Sequence, residues 1–129
     1  MRKIAILIIV LMMIGTGLLS GCNEKSDDDD KFLNKATVIY GELYPVTIYN
    51  LYSLNLKLSD YRLELADYTL SSKCEEIRNE LDFAMTFIGY AYDESNSDLY
   101  NSYERMSSAI ETANSNLELV KLDIDKLTK

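Results

Sequence analysis

The chain has no histidine and no tryptophan, only two cysteines, one proline and five glycines among 129 residues. Without histidine, the Ser-His-Asp and Cys-His catalytic arrangements have no base. Histidine-containing zinc sites and the Glu-x-x-His pair of di-iron bundles are excluded as well, as is haem attachment through Cys-x-x-Cys-His. One proline and few glycines leave little punctuation, so long regular elements with few tight turns are expected.

What is present starts with a basic Met1-Arg2-Lys3 and an apolar run from Ile4 to Leu19, broken only by Gly15, Thr16 and Gly17. Basic, apolar and then small is the order of a secretory signal. Sixteen helical residues cover about 24 Å, short of the ~30 Å hydrocarbon core, so cleavage is expected rather than a membrane span. The run closes on Leu19-Ser20-Gly21-Cys22, which resembles the lipobox of prokaryotic membrane lipoproteins. The resemblance covers the first twenty-two residues and names no functional family. It implies cleavage before Cys22, diacylglycerol and palmitate on that residue, and an extracytoplasmic domain held on the membrane by lipid. The membrane is the outer face of the cell membrane, or the outer membrane of a Gram-negative cell, since Asn23 is not the aspartate of inner-membrane retention.

Residues 22–30 have no apolar side chain after the cysteine and include Asp27 to Asp30. Like charges repel, so this segment is expected to be an acidic, flexible, solvated tether. A calcium site there would lose too much entropy on ordering. The expected organisation is a signal peptide over 1–21, the tether over 22–30 and one helical domain over 31–129. Loss of Arg2 and Lys3 with the leader takes the net charge from −8 to −10. Such acidity argues against nucleic acid and against lying flat on anionic lipid. With Cys22 acylated, Cys74 has no partner for an intramolecular disulfide, and stability must come from packing.

Apolar spacing sets the fold class. Leu99, Tyr103, Met106, Ile110, Ala113, Leu117, Val120, Ile124 and Leu127 recur at alternating steps of four and three, a heptad stripe on one helix. Cys74, Ile77, Leu81, Ala84, Ile88 and Ala91 repeat it, behind a capping box of Ser72 and Glu75. Leu51, Leu54, Leu58, Tyr61, Leu65 and Tyr68 keep the same frame, although "LNLKLSDYRLEL" also alternates like a hairpin. Ser59-Asp60 is a poor hairpin turn, and the frame extends back through Thr47, Tyr44, Tyr40, Thr37 and Leu33. The expected fold is therefore all-α: an elongated, coiled-coil-like antiparallel three-helix bundle. Its helices span roughly 31–70, 72–92 and 97–128, the first kinked near Pro45. A four-helix variant has residues 31–44 folded back.

Candidate chemistry is thin. Glu75, Glu76 and Glu80 fall where acids favour a helix start, and Cys74 occupies a stripe position, so packing is its expected role rather than thiol chemistry. Asp93, Ser95, Ser97, Asn101 and Glu104 fit the oxygen positions of an EF-hand loop, but Asp98 stands where that loop needs glycine. No metal and no cofactor is expected. Tyrosine is the unusual abundance, ten in all and every one between residues 40 and 103. In the three-helix arrangement Tyr44, Tyr49, Tyr52, Tyr90, Tyr92, Tyr100 and Tyr103 gather at the tether end. Tyrosine gives apolar area and a hydroxyl at low entropic cost. The expectation is a non-enzymatic module whose tyrosines bind another macromolecule, most simply a protein. A small-molecule or sensory bundle and a structural envelope spacer are the alternatives.

Overall fold

The computed structural model describes residues 26–128; the signal peptide, Cys22 and the tether as far as residue 25 lie outside the described residues. Four helices follow one another: α1 (Asp29–Leu43), α2 (Leu51–Ala66), α3 (Ser72–Ser95) and α4 (Ser102–Thr128). Among the described residues there is no strand, so the alternating "LNLKLSDYRLEL" is helix. No helix among them is long and apolar enough to cross a membrane.

The expected single kinked helix over 31–70 is instead two helices, and the four-helix variant is the arrangement present. Tyr44 ends α1 in an extended conformation (φ −98°, ψ 133°), the region into which a following proline forces its neighbour. Its N–H makes the last helical bond, to the Tyr40 carbonyl at 2.9 Å. Pro45 has no N–H to continue the ladder. Beyond it, Asn50 holds the connection by accepting from the Thr47 N–H (2.8 Å) and donating to the Pro45 carbonyl (3.0 Å).

The core frame also changes across the break. α1 buries Phe32, Leu33, Ala36, Ile39 and Leu43, whereas Thr37 is exposed and Tyr40 half-buried. The apparent stripe through Thr37, Tyr40 and Tyr44 therefore ran along the edge of α1. α2 buries Leu51, Leu54, Leu58, Tyr61 and Leu65 as its spacing predicts. In α3 every predicted stripe residue is buried, but the cap lies one residue earlier than expected. Ser71 accepts from the Cys74 N–H, and Glu75 instead holds Arg78 at 2.8 Å. In α4 the buried stripe begins at Met106. Leu99 and Tyr103, assigned to it from the sequence, are exposed.

Contacts between the helices fix the topology. Arg62 on α2 meets Asp82 on α3 at 2.7 Å, and Tyr52 meets Tyr92, so α2 runs against α3. Asn116 on α4 donates to the Glu80 carbonyl, and Arg105 pairs with Glu94, so α4 also runs against α3. α1 starts beside the α2–α3 turn and places Tyr44 against Glu118 of α4. The bundle is up-down-up-down, with α1 and α3 each touching all three other helices. One buried cluster draws on all four helices.

The acidic segment corrects a second expectation. Asp28, Asp29 and Asp30 do not form part of a solvated tether: Asp28 stands at the N-cap position of α1, without a side-chain cap bond, and Asp29 and Asp30 begin the helix. Asp29 is only 3% exposed. Its carboxylate accepts from the Ser71 N–H (3.0 Å) and the Ser26 N–H (3.2 Å). Asp28 accepts from the Thr69 N–H at 2.8 Å, and the Ser26 hydroxyl donates to the Thr69 carbonyl. Like-charge repulsion is overcome because these acids face the N–H-rich starts of α1 and α3, where the helix dipoles favour negative charge.

Candidate functional site

The tyrosines do not all converge. Tyr44 lies apart from the others, stacked on Tyr40 (centroids 5.4 Å apart) with its hydroxyl donating to Glu118 Oε2 at 2.9 Å. That bond raises the Tyr44 pKa. It is displaced because the helix containing it stops at Leu43 instead of continuing past Pro45. Tyr90 belongs to a row on the outer side of α3, packed on Phe87, which packs in turn on Phe83. Spacings of four and three put these three rings on one helix face.

The other five do share an end. Tyr49 closes the 44–50 connection, Tyr52 is in the first turn of α2, Tyr92 is in the last turn of α3, and Tyr100 and Tyr103 flank the start of α4. Tyr52 and Tyr92 are in ring contact at 6.1 Å. Tyr49 and Tyr100 are 91% and 88% exposed, and Tyr52 and Tyr103 are exposed as well, with only Tyr92 half-buried. Ile48 and Leu99 add exposed aliphatic surface. Leu99 was missed because its spacing fits the α4 stripe. The sequence signal against that reading is the run Ser97-Asp98 before it and Asn101 after it, where Asn101 adopts φ 66°, a left-handed conformation asparagine tolerates and a helix interior does not.

This end is also not the tether end, as the three-helix arrangement had it. α1 begins beside Thr69 and Ser71, at the α2–α3 turn. α3, with 24 residues, carries the chain from there to the tyrosines, a rise of about 36 Å. Splitting the first helix reverses which end the amino-terminus occupies.

Charge at the tyrosine end is mainly negative. Between Arg78 and Lys121 the only basic residue is Arg105. It is engaged with Glu94 Oε2 at 3.0 Å and donates to the Tyr100 carbonyl at 2.9 Å. Asp93, Asp98 and Glu104 are exposed around it.

Two other places were candidates for chemistry. A cleft of about 340 Å³ between α2 and α3 is lined by Arg62, Leu65, Arg78, Asn79, Asp82 and Met85. Both guanidiniums are already satisfied. Arg62 meets Asp82 and Thr86, and Arg78 holds Glu75 while donating to the Leu65 and Tyr68 carbonyls at 3.0 Å, closing the end of α2. Cys74 is buried, and its thiol hydrogen-bonds the Asp29 carboxylate. Among the described residues no three of the acids and cysteines gather as a metal would need.

Glu80, read from the sequence as one of three acids favouring a helix start, is partly buried on the α3–α4 seam. Its Oε1 is buried with no hydrogen-bond partner among the described residues. Burial first, then the Asp123 carboxyl beside it, raises its pKa from 4.5 to about 7. Glu76 adds to the rise and Lys126 opposes it. Between those two values the folded state holds a proton that the unfolded chain releases, so stability should fall as pH rises from 4.5 to about 7. Allowing for solvent screening, the loss is about 1 kcal/mol, or a few degrees in Tm. Thermal melts across that window should show the decline in wild type and little of it in Glu80→Gln. Equal slopes in both proteins would remove Glu80 as the cause.

No family model, curated protein or solved structure matches this chain. Its function therefore has to be argued from the site.

Proposed function

We propose that the chain is a lipid-anchored extracytoplasmic module that binds another protein through its tyrosine end and carries out no catalysis. The observation that supports this is Tyr49 and Tyr100, nearly fully exposed at one end of the bundle with Tyr52 and Tyr103 open beside them. Exposed aromatic rings that contribute nothing to a core are expected where a partner covers them. The anchor is proposed at Cys22, as the lipobox resemblance implies. Three residues lie between it and Ser26, which already docks on the α2–α3 turn. Four extended steps reach about 14 Å at most. The α2–α3 turn would then lie close to the lipid and the tyrosines would face outward, an elongated bundle presenting its far end.

Cys22→Ser should abolish incorporation of labelled fatty acid and leave the leader unprocessed. Labelling at the wild-type level would end the lipoprotein reading. The binding surface is tested by pull-down from detergent-solubilised native membranes with wild type and with the double variant Tyr49→Ala/Tyr100→Ala. The double variant should retain the wild-type Tm, since exposed substitutions usually change stability by under ~0.5 kcal/mol. It should lose at least about 90% of the captured partner, a tenfold effect of the kind expected at binding hot spots. Undiminished capture would leave the alternatives, a ligand-binding bundle and an envelope spacer. The α2–α3 cleft is the feature that favours the ligand reading.

A further inference from the structure

The tyrosine end combines two properties that together define its partner, and we infer that it takes a lysine- or arginine-rich segment of another protein. The inference rests on the proposed binding surface and adds the chemistry of what binds there. The rings of Tyr49, Tyr52, Tyr100 and Tyr103 are exposed. Interspersed with them are Asp93, Asp98 and Glu104, none of which forms an ion pair among the described residues. Of the two nearest cations, Arg105 is committed to Glu94 and to the Tyr100 carbonyl, and Lys57 is exposed five residues beyond Tyr52 in α2, so acids still outnumber bases here.

A neutral or apolar partner covering those rings would strip water from three carboxylates and give nothing back, which is costly. An acidic partner would add repulsion. An ammonium or guanidinium group satisfies both halves of the surface. It compensates the carboxylates, and its charge is attracted to the electron-rich face of a tyrosine ring. The excess of acid over base on this end also steers a cationic segment in from a distance. Proximity of acids alone would not make a docking surface, and exposed rings alone would not choose between partners. Their combination at one end of the bundle does both, with Tyr49 on the 44–50 connection, Asp98 and Tyr100 on the 96–101 connection, and Tyr52, Asp93, Tyr103 and Glu104 in the adjoining helix turns.

The test uses the full chain in neutral detergent micelles and two fluorescent peptides of equal length, one a lysine–serine repeat and one a glutamate–serine repeat. The lysine peptide should bind, with affinity falling as salt rises, and the glutamate peptide should not. Tyr49→Ala/Tyr100→Ala leaves the charge untouched and should weaken the lysine peptide at least about fivefold, two exposed cation–ring contacts being lost. Asp98→Asn/Glu104→Gln should weaken it comparably. If the lysine peptide fails to bind, or binds equally well after the rings are removed, the inference is overturned. In the second case attraction is spread over an acidic chain and has no docking site. The native-membrane pull-down separates this from the parent reading. Capture that needs Tyr49 and Tyr100 but ignores salt and Asp98→Asn/Glu104→Gln would keep the binding surface and discard the cationic partner.

Discussion

Asp29→Ala is expected to lower folding stability by about 3 kcal/mol, although it removes one charge from a run of four aspartates. The carboxylate accepts two backbone N–H bonds, from Ser71 at 3.0 Å and Ser26 at 3.2 Å. Leaving a buried N–H without a partner costs about 1–3 kcal/mol, and the favourable position at the start of α1 adds up to about 1 kcal/mol. Asp27→Ala, in the same run but exposed, should change stability by less than ~0.5 kcal/mol. Titration gives an independent check. Burial on its own would raise the Asp29 pKa. Hydrogen bonds from the Ser71 hydroxyl and N–H, the Ser26 N–H and the Cys74 thiol outweigh it, holding the pKa below 3.8. The stabilisation is thus fully present above 3.8 and is lost as pH falls through the lower, folded value. Wild type should lose stability in that acid window more steeply than Asp29→Ala. Equal Tm values for Asp29→Ala and Asp27→Ala would show that the docking at Ser71 contributes nothing.

Asp29 and Glu80 titrate in opposite senses, which shapes the whole stability profile. Asp29 penalises acid below its depressed pKa, and Glu80 penalises alkalinity as its raised pKa is passed. Between them these two groups favour mildly acid over neutral conditions.

Legibility in the sequence tracked how many neighbours each residue's position depended on. The stripes of α3 and of α4 from Met106 onward were readable because a helix packed along its length repeats one demand every turn. Pro45 was read as a kink because Thr37, Tyr40, Tyr44 and Thr47 mimic a continued frame. The true α1 core through Phe32, Ala36, Ile39 and Leu43 keeps equally good spacing. Two overlapping stripes cannot be ranked without knowing which face meets α3 and α4. That one ambiguity moved Tyr44 out of the candidate surface and reversed which end carries the amino-terminus. Asp29 was unreadable for another reason. Its burial depends on N–H groups at Ser71, 42 residues away, and no local rule reports them. A binding surface requires Tyr49, Tyr52, Tyr92 and Tyr100 to be open, and of these Tyr92 is half-buried while the other three are exposed; the exposure of Leu99 and Tyr103 was hidden by spacing that happened to continue the stripe.

Asn114→Leu should be nearly as damaging as Asp29→Ala, at about 2–3 kcal/mol, and its consequence reaches the tyrosine end. The Asn114 amide uses both of its ends on one residue of the 44–50 connection. Oδ1 accepts from the Val46 N–H at 2.8 Å, and Nδ2 donates to the Val46 carbonyl at 2.9 Å. A side chain on α4 thereby supplies the pair of bonds that a neighbouring strand would supply to an extended residue. Val46 itself is buried, so leucine would leave an N–H and a carbonyl enclosed and unpaired. Asn114→Asp separates the two bonds. It keeps the acceptor for the N–H but sets a carboxylate oxygen against the carbonyl, so it should be destabilising as well. Asn114 is a positioning residue for the surface, since the connection it holds carries Ile48 and Tyr49 and leads into Tyr52. Amide hydrogen exchange should therefore quicken at Val46 and at the start of α2 in Asn114→Leu, while the middle of α3 stays protected up to global unfolding. The lysine peptide should bind more weakly to this variant at temperatures where it remains folded. Unchanged exchange at Val46 would mean that the connection is held by Asn50 and Pro45 alone, and that the α4 amide has no part in presenting the tyrosines.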